Sequence, residues 1–144
     1  MAYTVVVDAN VLYDAAARDL LIRFSARGLV RVRWTDHILD ECFHSLRSNR
    51  PEISEEQGQR MRKLMCDAVP DCIITGYEPL IEAIQLPDMD DRHVVAAAIK
   101  SDAQAIVTSR NHNAISTTLA AFGATSVGSV RVPRNWALSM SPIG

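Results

Sequence analysis

Two short runs restrict this chain more than anything else in it: YTVVV at Tyr3–Val7 and AIVT at Ala105–Thr108. Both are almost unbroken stretches of apolar, mostly β-branched residues, without the polar alternation of a strand that faces water. Such a strand is buried on both faces, and strands of that kind belong to parallel sheets covered by helices.

The segments between them supply the helices. Leu20–Ala26 reads as helix and stops at Gly28. Val30–Thr35 alternates apolar and basic residues, as a half-exposed strand does. Asp36–Ser48 places Ile38, Leu39, Cys42, Phe43 and Leu46 on one stripe, and Arg50-Pro51 ends it. Ser54 and Gln57 form a capping box that opens a helix to about Asp67. A short strand is expected at Cys72–Thr75 and a helical turn at Pro79–Ile84. PDMDD leads into a helix with Val94, Val95, Ala98 and Ile99 on its apolar face. Beyond AIVT, a helix is expected at Ser116–Phe122, a strand at Ser126–Val132 and a terminal helix at Arg134–Met140. This alternation predicts one α/β domain over residues 1–144 with a mainly parallel central sheet. In such sheets ligands bind beyond the carboxyl ends of the strands. Asp8 and Thr108 each stand at such an end.

Composition excludes several classes. A hydrophobic content of 48% with 22% charged residues supplies a core and rules out a disordered chain. No apolar run is long enough to span a membrane, and the N-terminus lacks the pattern of a secretory signal. Three cysteines without CxxC spacing point to reduced, partly buried thiols and a cytoplasmic setting. The four histidines show no zinc-ligand motif and are expected at the surface. A net charge of −2 argues mildly against a nucleic-acid partner.

The positions of the acids say more than their total. Asp8 directly follows a buried strand, where a carboxylate needs a cation or hydrogen-bond donors; a helix cap or turn would also suit it. Glu41 lies roughly 120° from the centre of its helix's apolar stripe, and Asp40 lies only slightly further, so periodicity separates the two poorly. Asp88, Asp90 and Asp91 repel one another unless they cap a helix or hold a cation. Acids from separate segments meeting at one sheet edge suit a hard ion, Mg²⁺ or Mn²⁺, far better than zinc. Such an ion can activate water for phosphodiester cleavage.

VVVDANVL, HILDECFHSL, LPDMDDRHVVAAAI and AIVTSRNHN, in this order and spacing, resemble the PIN domain, a family of small metal-dependent ribonucleases that includes VapC-like toxins. The resemblance covers about Thr4 to Val132. It implies a three-layer α/β/α fold, with metal-binding and catalytic acids at Asp8, Glu41 and Asp91. Asp88 resembles an extra acid of some members, and Asn10, Thr108 and Asn113 match supporting positions. The fourth corner departs from the family pattern, because Asn113 and Arg110 stand where an acid is common. The implied activity is a Mg²⁺- or Mn²⁺-dependent endoribonuclease, the toxin of a toxin–antitoxin pair. Its partners would be an RNA substrate, an antitoxin protein and a second copy in a homodimer. The departure at Asn113 motivates an alternative, a weak or inactive PIN-like module that binds RNA or protein. An aspartyl phosphotransferase fits less well, since Asn10 stands where a second acid is required.

Candidate phosphate contacts are Arg92 and Arg110, near the proposed site. A second group is Arg47, Arg50, Arg60, Arg62 and Lys63, which also reads as plain helix surface.

Overall fold

The structure, a computed structural model, describes residues 3–108 and 128–131. Strand β1 (Tyr3–Val7) is followed by two helices, α1 (Ala9–Tyr13) and α2 (Ala15–Ala26). Strand β2 (Val30–Arg33) leads to α3 (Asp36–Asn49), α4 (Glu55–Ala68) and a short α5 (Glu78–Ile81). A 3-10 turn at Met89–Asp91 runs into α6 (Arg92–Lys100), then β3 (Ala105–Thr108), and β4 spans Gly128–Arg131. The four strands lie in the order β2-β1-β3-β4, all parallel.

The burial of β1 shows why the sheet is layered. Val5, Val6 and Val7 are all buried although successive strand residues point to opposite faces. Both faces of the sheet are therefore covered, as the two apolar runs require. Helix α6 packs on β1 and β3. Its Val94, Val95, Ala96, Ala97 and Ala98 are all buried, and three consecutive alanines let it lie close to the strands.

Helix α3 matches its expected span, with Thr35 as N-cap accepting from the Ile38 N–H. The Ser54/Gln57 capping box of α4 is formed in both directions. Three expectations change. Helix α2 begins at Ala15, earlier than Leu20, because the Asp14 side chain caps it by accepting from the Ala16 and Ala17 N–H groups. Of the two local readings of Asp8, helix cap or turn, the cap is formed, and it opens a short helix α1 that was not expected. The strand expected at Cys72–Thr75 is reduced to one bridge between Trp34 and Ile73, closed by two 2.8 Å backbone hydrogen bonds. Asp71 and Gly76, both at positive φ, confine its extended backbone to a few residues.

All three thiols are free; Cys42 and Cys72 are buried and Cys66 is half-buried. No helix among the described residues is long and apolar enough to cross a membrane. The elements expected at Ser116–Phe122 and Arg134–Met140 lie outside the described residues.

Candidate functional site

Parallel topology gathers the candidate acids at one edge. Helix α1 leaves the carboxyl end of β1, and α3 starts just beyond the carboxyl end of β2. Helix α6 feeds β3 through a short loop, so its own N-terminal end, with Asp91, lies toward the carboxyl end of that strand.

Asp8 is 4% exposed. One carboxylate oxygen, Oδ1, accepts from the Ala9 N–H at 2.7 Å. The other, Oδ2, accepts from the Thr108 hydroxyl at 3.1 Å and, at a long 3.4 Å, from the Asn10 amide. Thr108 is fully buried and reaches Asp8 from the next strand, since β1 and β3 pair in register with Val7 beside Val107. Asp8 thus serves as helix cap and as an oriented carboxylate at the sheet edge. Asn10 and Thr108 both donate to that carboxylate.

Asp91 is 5% exposed, at the junction between the 3-10 turn and α6. Asp88 caps that turn by accepting from the Asp90 N–H at 2.9 Å. Its immediate work is local structure, with one oxygen already engaged. Arg92 turns its Nε–H to the Met89 carbonyl at 3.2 Å, which braces the same turn.

Tertiary packing separates Glu41 from Asp40. Asp40 faces α4, where Arg62 bridges it at 2.5 Å and Asp36 at 2.8 Å. Glu41 turns the other way, into a cleft of about 280 Å³ shared with Ala9, Asn10, Tyr13, Ser45 and Asn49. The Asn49 amide donates to the Tyr13 hydroxyl across this cleft at 3.1 Å. Asn10 lines the same cleft and also donates to the Asp8 carboxylate.

His93 corrects the expectation of surface histidines. It is 4% exposed, because α6 is buried all around at this level. Its Nε2 lies 2.5 Å from Glu41 Oε1, and the His37 Nε2 lies 3.2 Å from the same oxygen. The two imidazoles stack with centroids 3.8 Å apart and planes 18° from parallel. Neither ring nitrogen of His93 makes a hydrogen bond. His37 and Glu41 are four residues apart on α3, a helical spacing legible in the sequence. The position of His93 opposite them was not legible.

Three of the five basic residues at 47–63 hold ion pairs, two of them exposed and local in sequence. Arg62 pairs with Asp36 and Asp40, Lys63 with Asp67, and Arg50 with Glu52. Arg110 and Asn113 lie outside the described residues, as does His112.

Fold and site together define an α/β domain with buried carboxylates at the carboxyl edge of a parallel sheet. Residues 4–112 match the family model of the PIN domain, well over half of the 144 residues, and the chain belongs to that family. No curated protein and no solved structure matches the chain. PIN domains are in general nucleases, and they typically use divalent metals. The donor chemistry here fits such an ion: Asp8, Glu41 and Asp91 are carboxylates from three separate elements, and Asp8 is oriented by hydrogen bonds as metal-ligating carboxylates are.

Proposed function

We propose that this protein is a Mg²⁺- or Mn²⁺-dependent endoribonuclease, with Asp8, Glu41 and Asp91 holding the ion. The observation that carries the reading is the burial of Asp8 and Asp91 at the carboxyl edge in a chain of a nuclease family. Burying two carboxylates is costly, and a divalent cation offsets that cost. A bound ion of this kind supplies a water of lowered pKa and neutralises charge on the phosphate.

The protein's own groups do the rest. Thr108 and Asn10 hold Asp8 in one orientation. Asn10, Ser45 and Asn49 line the cleft with polar groups that suit ribose and phosphate oxygens. Arg92 and Arg110 are assigned to the backbone of the RNA. Asp88 joins the ion only through the oxygen that its cap leaves available. The biological setting we assign is a cytoplasmic VapC-like toxin, dimeric and neutralised by an antitoxin that covers the acidic edge. The resemblance of the four motifs supports that setting.

The test is cleavage of an RNA pool by purified protein free of any antitoxin, with Mg²⁺ or Mn²⁺ added. Wild type is expected to cleave, and Asp8→Asn to lose about 100-fold or more, the scale of several kcal/mol of charge stabilisation. Saturating Mn²⁺ is also expected to raise the melting temperature of wild type. An ion at 100 times its Kd adds about 2.7 kcal/mol. Absence of cleavage with either metal overturns the proposal.

A further inference from the structure

We infer that His37, Glu41 and His93 form a second metal site, selective for ions that favour imidazole, with Zn²⁺ as the reference ion. Their ligand atoms all lie within 4.8 Å of one another. Both Nε2 atoms converge on one carboxylate oxygen, at 3.2 and 2.5 Å. Donors bonded to tetrahedral zinc at 2.0–2.1 Å stand about 3.4 Å apart, so small side-chain movements close the set.

Independent support comes from His93. It is buried, it points at Glu41, and neither of its ring nitrogens makes a hydrogen bond. The Glu41 carboxylate beside Nε2 offsets part of the desolvation cost of this buried ring, and a metal between the two would replace that contact with ligand bonds. Two imidazoles and one carboxylate form a zinc set that leaves a fourth position open. Solvent reaches the ligand set, because the side chains of His37 and Glu41 are 52% and 35% exposed. The site differs from the all-oxygen set of Asp8, Glu41 and Asp91 in ligand softness, and so in the ion it prefers.

Glu41 belongs to both sets. On the reading above, in which Glu41 serves the nuclease ion, zinc occupancy withdraws a carboxylate from that ion. Zinc therefore acts as an inhibitor of cleavage, and the histidines are the switch.

The experiment uses the full chain without a histidine tag. Zn²⁺ binding is measured by calorimetry, and Co²⁺ is added as a spectroscopic substitute. Wild type is expected to bind one Zn²⁺ and to give the intense visible absorption of low-coordinate Co²⁺. His37→Ala changes an exposed side chain and keeps the core, so it remains folded by circular dichroism. Its Zn²⁺ affinity is expected to fall about 10-fold or more, and Asp8→Asn is expected to retain wild-type Zn²⁺ affinity. His93→Ala gives the same loss if it folds. Unchanged affinity in His37→Ala, or equal loss in Asp8→Asn, overturns the site.

Zn²⁺ is then titrated into Mg²⁺-supported cleavage. Inhibition at the calorimetric Kd supports the shared role of Glu41, and its absence overturns that role. If no metal supports cleavage, the nuclease reading has failed, and the binding measurements still decide the zinc site.

Discussion

Thr108→Val tests whether the sheet edge orients Asp8. The substitution removes one hydroxyl from a fully buried position and keeps the volume of the side chain. The lost hydrogen bond is 3.1 Å long and runs to a buried carboxylate. Hydrogen bonds to such groups contribute about 1.5–3 kcal/mol. Asn10 compensates poorly, since its approach to the same oxygen is 3.4 Å. A loss near 2 kcal/mol is expected, which for a domain of this size lowers the melting temperature by about 4–8 °C. Urea unfolding of wild type, Thr108→Val, Asp8→Ala and the double variant closes a double-mutant cycle. The cycle removes the separate loss of the Ala9 cap, which Asp8→Ala carries in both backgrounds. A coupling energy of about 1 kcal/mol or more is expected. Coupling under about 0.3 kcal/mol refutes the orienting role, because uncoupled distant sites already scatter by that much. The same Thr108→Val protein is expected to lose about 10- to 100-fold in RNA cleavage, as second-layer partners of metal ligands do.

Glu41→Gln is expected to abolish cleavage, whereas Asp40→Asn retains it and costs under about 1 kcal/mol in urea unfolding, since Asp40 holds only an exposed ion pair with Arg62. Gly58→Ala in α4 is expected to raise stability by about 0.5–1 kcal/mol, read as a higher melting temperature. The new Cβ would meet nothing closer than the Arg47 Cδ at 4.0 Å. Burial, and then Cys66 beside it, pushes the Cys72 thiol up to about 12 from an ordinary value near 9. The native state therefore keeps a proton that the unfolded chain loses. Its contribution to stability is complete below about pH 9 and declines as pH rises toward 12. Unfolding midpoints across that window are expected to fall less steeply in Cys72→Ala. Alkylation of native Cys72 at pH 8 is expected to be slow until the chain unfolds.

Local signals made much of this protein legible. The runs YTVVV and AIVT identified buried parallel strands, because only a sheet covered on both faces leaves no polar position in a strand. The apolar stripe of α3 and the Ser54–Gln57 capping box marked helices whose spans the structure reproduces within a residue or two. Asp8 and Thr108 could be placed at the carboxyl edge because each stands at the end of a parallel strand. Asp14 was less legible, since an Asp can cap a helix or turn the chain, and the local pattern does not say which.

Tertiary structure decided what depends on distance between remote segments. Asp40 and Glu41 are neighbours on one helix, and periodicity alone left both near the edge of the buried face. Arg62, arriving from α4, takes Asp40 to one side, and the cleft beside α1 receives Glu41 on the other. His93 looked like any polar residue after an acidic turn. Its burial, and its meeting with His37 and Glu41, arise from the packing of α6 against the sheet, far along the chain from α3. A sequence records which groups are present and their local period. Which of them share one space is set by the long-range packing of the core.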